Sequence, residues 1–445
     1  MLESLRTTSG VVWLSVLVGL FWWNQPSLPP AAPWRTLQDI WTPKELDRLI
    51  HMVERVSSYT TFIQDFTAEV ENIGEGQPIG KDGTCTHPFL VPSPSQPNLC
   101  ILPSRLDIGR HFLLTGGYSN HRESYARLVS RAQTFYSHTF DKKLEALPEF
   151  KSLFESPKYK QAASAICAAQ GKPVFDPIQL GIILQLPGQE VPAHYDIPWF
   201  YGATRFHLPQ WLLVVMEQSG LFQDIRVPQI QGVAYLHPWD HRTIQGGGFY
   251  FLPQGKEGPI HVIPPATNTA IVLDGSVIVH GTVTYRPDSP KTLPLLKKGN
   301  KYRLERLLHA SNTTIAANPT NWALYEGNGA PPLALYQTED FRICLVWRAR
   351  CFASEAEKEL WASYSTKLTV PEVLDALWAD VKKRKGWNDA TPLPAPLDLA
   401  LLLLDEYVEY PKRKPTLLSY NYCLASMAMP YWLGRIWESV MRCGS

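Results

Sequence analysis

The stretch PGQEVPAHYDIPWF (187–200) sets His194 and Asp196 two residues apart, where hydrophobic alternation predicts a β-strand. Alternate strand residues share a face, so the imidazole and the carboxylate can reach one metal ion while Tyr195 points away. Two imidazoles and one carboxylate on one face of an octahedron leave three coordination positions open. The pair therefore needs a second histidine, best delivered by a later strand running beside the first. His280 meets that need, because it closes the apolar run IVLDGSVIVHG (271–281) and so brings a lone polar side chain to a strand's end. A histidine so placed is ordinarily a hydrogen-bonded core residue; here an incomplete ligand set awaits it. The chain has 12 His, so a single His-x-Asp triplet carries little weight alone. His237, Asp240 and His241 in LHPWDHRTIQGGG (236–248) form a rival cluster, set in a loop before three glycines. His207 and His261 have no partner at ligand spacing.

The elements that must position these residues lie between 174 and about 353. Seven apolar runs separated by Pro, Gly and Asn turns predict strands: IQLGIILQL, WLLVVM, GVAYLH, GGFYFL, HVI, TAIVLDGSVIVHG and DFRICLVWRARCF. Short strands in series predict a sandwich or barrel. The segment 286–335, rich in Pro, Asn and Lys, reads as an insertion or surface excursion. Upstream, TPKELDRLIHMVERV (42–56) predicts a helix with Thr42 as N-cap, Pro43 at the first position and Glu45 completing a capping box. A turn-rich loop spans 78–104. Helical patterning resumes over 121–140 and 156–170, where Gly171 and Pro173 stop the second helix. Beyond 354 four helices are predicted, the last being MPYWLGRIWESVMR, whose Trp-rich face is expected to pack against the sheet. The chain thus divides into 1–33, a helical region 34–173, a β core 174–353 and a helical region 354–445.

Composition bounds the rest. The 445 residues are 45% hydrophobic and 19% charged, with net charge +1. Near-neutrality removes the electrostatic drive for nucleic-acid binding. The seven cysteines show no Cys-x-x-Cys spacing, which excludes a zinc ribbon or a redox dithiol. Cys85 and Cys100 share a loop and could pair in an oxidising compartment. At the N-terminus, GVVWLSVLVGLFWW (10–23) is uncharged and followed by a proline-rich linker. It predicts a single-pass signal anchor with a lumenal domain in the endoplasmic reticulum or Golgi, or a signal peptide of a secreted protein. The sequon Asn312-Thr313-Thr314 is compatible with either.

The succession LPGQEVPAHYD … VAYLHPWDHRTIQGGGFYFLP … HVIPPATNTAIVLDGSVIVHG resembles the double-stranded β-helix (jelly-roll) core of Fe(II)/2-oxoglutarate-dependent dioxygenases, above all the prolyl 4-hydroxylase-like group. The resemblance covers residues 180–285. It implies an α+β fold with that core flanked by N- and C-terminal helices. It also implies His194, Asp196 and His280 as iron ligands, and O2 and 2-oxoglutarate as co-substrates, with ascorbate as a possible reductant. The family holds the far carboxylate of 2-oxoglutarate with a cation on the strand after the distal histidine. DFRICLVWRARCF makes Arg342 the choice, with Arg286, Lys301 and Arg303 behind it. A guanidinium fork can grip that carboxylate bidentately. Gln185 and Tyr235 are expected beside the co-substrate, and Trp199, Phe200 and Tyr201 are candidates for a substrate floor.

The expected activity is hydroxylation of a C–H bond with release of succinate and CO2. The substrate class is open among protein side chain, lipid and small molecule, and the membrane is a partner through the N-terminal segment. Two alternatives stand beside it. One is an inactive β-helix serving as a binding or scaffold protein of the secretory pathway, in which no cation enters the barrel beside His280. The other is a hydrolytic zinc site, which requires a further acid or base in the mouth.

Overall fold

The computed structural model describes residues 33–56, 58–62, 76–80, 90–92, 96, 98–102, 127, 130–138, 156–255, 258–297, 300–307, 322–408 and 429–441. The described residues belong to one compact unit beginning at Pro33. They combine helices with sheets whose paired strands are all antiparallel.

The larger sheet has ten strands. They run in the order Trp34–Gln38, Thr269–Leu273, Gln229–Tyr235, Arg342–Phe352, Val174–Gln185, Phe135–His138, Ser58–Phe62, Lys301–Arg306, Trp322–Glu326, Ala334–Tyr336. A smaller sheet orders His261–Ile263, Phe249–Leu252, Val279–Thr282 and Val191–His194. Val233, Tyr235, Cys344 and Val346 of the large sheet join Phe249 and Phe251 of the small one in a single apolar cluster. That shared interior explains why the strands at the centre of the large sheet are apolar on both sides. Their other face carries Ile182, Leu184, Leu345 and Trp347 into a second core, closed by the helices Pro43–Arg55 and Pro157–Ala169. Gly232 lets the second of these helices approach: a Cβ there would lie 2.4 Å from Tyr159 Cε1, and Tyr159 stacks on Trp347. A separate helical layer forms from Gln210–Ser219, Val370–Lys385 and Pro396–Tyr407.

Cys167 of the helix Pro157–Ala169 and Cys351 of the strand Arg342–Phe352 form a disulfide that ties that helix to the large sheet. Both are fully buried. Their link closes a loop of 184 residues, so the double variant Cys167→Ala/Cys351→Ala is expected to lose about 2–5 kcal/mol of stability, measured by urea unfolding without reductant.

Several expectations are met and others need correction. Thr42 caps its helix in a full capping box with Glu45, and Pro157–Ala169 stops before Gly171. WLLVVM is not a strand but lies in the helix Gln210–Ser219, where all of it but Val214 is buried, mainly against other helices. Within 121–140, Phe135–His138 is a strand pairing with Val174–Gln185 rather than a helix. The segment 286–335 is more than surface: Tyr302, Leu304, Trp322 and Leu324 are fully buried, because its strands extend the large sheet. On the last helix, Tyr431–Val440, Trp432, Ile436 and Val440 are 65%, 53% and 72% exposed while Trp437 is half-buried.

Cys100 is disulfide-bonded, while Cys85 and Asn312 lie outside the described residues. The single-pass anchor is also corrected: among the described residues no helix is long and apolar enough to cross a membrane. The apolar stretch 10–23 on which that expectation rested lies outside them.

Candidate active site

Three ligand-capable side chains converge where the two sheets meet. His194 and His280 face each other across paired strands, in register, with ring centroids 4.3 Å apart. Asp196 lies just past the end of its strand, held there by its backbone N–H donating to the Gly275 carbonyl at 2.8 Å. Donor atoms of His194, Asp196 and His280 all lie within 4.8 Å of one another; among the described residues no other such group occurs.

The donor set fits a divalent metal. His194 Nδ1 lies 2.8 Å from the Pro192 carbonyl and His280 Nδ1 lies 2.9 Å from the Ile278 carbonyl. A carbonyl only accepts, so both Nδ1 atoms carry the proton and both Nε2 atoms keep a lone pair for a metal. Burial, then the neighbouring His194, pushes the His280 pKa down to about 4, which keeps its imidazole neutral and ready to ligate. Two neutral imidazoles and a carboxylate suit non-haem Fe(II).

Gly275 walls this centre. A Cβ there would sit 2.2 Å from Asp196 Oδ2 and 2.9 Å from His280 Cε1. Its turn is held by Arg226, whose buried guanidinium donates to Glu217, Asp274 and Ser276 at 2.7–3.1 Å. Gly275→Ala is expected to weaken Fe(II) or Mn(II) binding about 10–100-fold, as loss of support around a metal ligand does. An anaerobic metal titration measures it.

Further along the interior, Arg342 pairs in register with Gln185 on the adjacent strand. The guanidinium is 2% exposed. Its Nε donates to the Gly247 carbonyl at 2.7 Å, and its Nη1 bonds Gln185 Oε1 and reaches Cys344 Sγ at 2.9 Å. Tyr235 lies under it, with Arg342 Cζ 5.0 Å from the ring centroid. Arg342 Nη2, Gln185 Nε2 and the Tyr235 hydroxyl are buried with no partner at hydrogen-bonding geometry. Arg342 has no acidic partner within ion-pair distance among the described residues. The other cations considered from sequence are elsewhere engaged. Arg286 sits 3.4 Å from Asp340, Arg303 bonds Glu305 at 2.7 Å, and Lys301 is exposed.

Three polar residues beside the His–Asp–His group, Arg348, Gln231 and Gln179, were not found from sequence. Arg348 Nη2 donates to Asp196 Oδ1 at 2.7 Å, its Nε and Nη2 to Gln231 Oε1 at 2.9 and 2.8 Å, and its Nη1 to Gln179 Oε1 at 3.2 Å. The signal for Arg348 was present. Strand alternation from Arg342 through Cys344 and Val346 brings Arg348 to the same face. Gln179 and Gln231 stand opposite Arg348 in register on the two flanking strands, a pairing no single segment reveals.

Other candidates fall away from the centre. His237 Nε2 donates to the Pro265 carbonyl at 2.6 Å while Asp240 pairs with Arg242, so the rival cluster does not form. His207 Nε2 bonds the Gly202 carbonyl at 2.6 Å. Trp199 and Tyr201 pack edge-on to Trp361, and Phe200 belongs to the helical core.

No family model and no curated protein matches the chain. Among solved structures it is similar to a prolyl-4-hydroxylase of Pseudomonas putida, at 10% identity over 73% of this chain and 94% of that one, with TM-score 0.30. It is similar to AviO1 of Streptomyces viridochromogenes at 14% identity, covering 73% and 96%, TM-score 0.30. A prolyl hydroxylase of Trichoplax adhaerens, in complex with a hypoxia inducible factor peptide, gives 7% identity, 76% and 89% coverage and TM-score 0.31.

Proposed function

We propose that the chain is an Fe(II)- and 2-oxoglutarate-dependent dioxygenase built on a double-stranded β-helix, hydroxylating a C–H bond of a protein side chain, a lipid or a small molecule. The observation that carries this reading is Arg342, a buried guanidinium without an acidic partner among the described residues, on the interior that also presents His194, Asp196 and His280. A buried cation lacking a counter-charge is costly, and a guest carboxylate removes that cost.

2-Oxoglutarate matches the interior from end to end. Its keto-acid end suits a metal on the His–Asp–His set, and its two methylenes suit the wall of Val233, Val346 and Ile183. Its remote carboxylate suits the Arg342 fork. Gln185 Nε2 and the Tyr235 hydroxyl are further donors for that carboxylate.

With Fe(II), 2-oxoglutarate and O2 bound, the centre supplies oxidative decarboxylation to succinate and CO2 and the oxidising power to cleave a C–H bond. The protein's own share is positioning. Arg348 grips Asp196 Oδ1 and so orients the carboxylate, whose Oδ2 lies 3.9 Å from His280 Nε2. Phe249 stacks on the His280 ring at 5.4 Å and helps to keep the centre dry. Residues 174–353 form the proposed catalytic core, since every one of these side chains lies within them. Ascorbate would keep the iron ferrous between turnovers.

Two cations, Arg342 and Arg348, face the interior near His280, which counts against the inactive scaffold. The test is succinate formation from 2-oxoglutarate by the full chain with Fe(II) and ascorbate, alongside 2-oxoglutarate binding to the Mn(II)-loaded protein. Metal-dependent binding is expected whether or not turnover occurs without substrate. Absence of both sinks the proposal.

A further inference from the structure

We propose that Gln231 is a contact residue for the chelating end of the co-substrate, its amide Nε2–H donating to a carboxylate oxygen held at the metal beside His280. This inference rests on the iron and 2-oxoglutarate reading above.

Gln231 is 4% exposed and stands in register between Leu273 and Arg348 on the central strand Gln229–Tyr235. The orientation of its amide is set by chemistry. Two N–H groups of Arg348 lie 2.9 and 2.8 Å from one amide atom, and a guanidinium has no acceptor, so that atom is the oxygen. The amide nitrogen then faces His280, with 3.1 Å between Gln231 Nε2 and His280 Nε2. His280 Nδ1 already donates to the Ile278 carbonyl, so His280 Nε2 holds a lone pair and Gln231 donates to it.

A metal needs that same lone pair. When it binds, the Gln231 N–H loses its acceptor, yet Arg348 still holds the amide from the other side. A buried donor is left aimed at the coordination positions next to His280, and a buried donor requires a partner. Asp196 Oδ1 is engaged by Arg348. The chelating carboxylate of 2-oxoglutarate brings a new anionic acceptor to this place. A water on the metal offers similar chemistry, and the test separates the two.

Gln231→Met and Gln231→Glu are compared with the parent as full chains, anaerobically. Three quantities are measured: Mn(II) affinity alone, 2-oxoglutarate affinity of the Mn(II)-loaded protein, and the visible charge-transfer absorption of the Fe(II)–2-oxoglutarate complex. Gln231→Met is expected to bind Mn(II) at least as tightly as the parent, because the competing donor is gone. Once metal-loaded it should bind 2-oxoglutarate about tenfold to a hundredfold more weakly, with a shifted absorption band. Gln231→Glu, which sets one carboxylate against another, should bind it more weakly still.

Unchanged 2-oxoglutarate affinity and absorption in Gln231→Met overturns the proposal. So does a fall in Mn(II) affinity alone, which would assign the donor to a metal-bound water. Parallel loss of Mn(II) affinity, thermal stability and 2-oxoglutarate affinity also overturns it, marking Gln231 as a mere prop for Arg348. If the parent itself shows no metal-dependent 2-oxoglutarate binding, the dioxygenase reading fails first, and visibly so.

Discussion

His280→Ala is expected to lower Fe(II) or Mn(II) affinity at least a hundredfold and to reduce succinate formation below detection, while leaving the fold intact. The bound follows from ligand count. Losing a group that merely supports a metal ligand already costs about 10–100-fold, and His280 is proposed as a ligand itself. The fold should survive because the imidazole makes only two hydrogen bonds, Nδ1–H to the Ile278 carbonyl two residues away and Nε2 accepting from Gln231, whose amide stays held by Arg348. Asp196→Ala should lose metal equally but also lower thermal stability, since Arg348 would then lose its ion pair at 2.7 Å. The contrast is informative. Equal melting temperatures in the two variants would contradict the coupling of Arg348 to the ligand set, and metal-dependent turnover in His280→Ala would sink the proposed triad.

Arg342→Met should raise the KM for 2-oxoglutarate by about 30- to several-thousand-fold, the equivalent of roughly 2–5 kcal/mol for losing one partner of a buried charge pair. Metal affinity should be unchanged, because Arg342 touches none of the three ligands. High 2-oxoglutarate should restore much of the turnover. The ligand-free protein supplies the second readout. Removing one member of a structural buried ion pair usually destabilises by about 3–5 kcal/mol. Arg342 has no acidic partner among the described residues, so Arg342→Met should cost less than that, because the hydrogen bonds lost to Gly247 and Gln185 are offset by removal of an unpaired buried charge. A large loss of stability in the absence of 2-oxoglutarate, with little change in its KM, would make Arg342 a structural residue. Arg342→Lys keeps the charge but not the fork and should fall between parent and Met.

The two variants bracket the interior from opposite ends. Between them lie Val233, Ile183, Cys344 and Val346, an apolar span with a ligand set at one end and a lone guanidinium at the other. Burial pushes the Cys344 thiol pKa up, so it lines this span as a small neutral side chain and not as a thiolate. That pattern of charge, hydrocarbon and charge is the shape of a short dicarboxylate, which is why the expected effects differ in kind. One variant is expected to lose the metal, and the other the guest.

Much of this was legible in the chain itself, wherever the signal is local. Alternation in HYD and in RICLVWR assigns His194 with Asp196 to one face and Arg342 with Arg348 to another, because a strand's period is two whatever surrounds it. Thr42 and Glu45 mark a helix start within four residues for the same reason. Apolar runs alone did not separate strand from helix. WLLVVM reads as a buried strand, yet it is a helix packed mainly against other helices. Phe135–His138 reads as helix, yet it pairs with Val174–Gln185. In both cases tertiary burial overrides a pattern too short to decide.

What the sequence determined by itself was the inventory: a His-x-Asp pair, a distant histidine, an arginine on a late strand, and the order of the turns between them. Only the tertiary structure decided that His280 meets His194 in register, that Cys167 bonds Cys351, and that Gln231 and Gln179 flank Arg348. It also decided that Arg342 is buried without an acid beside it among the described residues, while Arg226, also buried, has Glu217 and Asp274. Residue type and period are written along the chain. Cross-strand register and the presence or absence of a counter-charge depend on which distant segments the packing brings together.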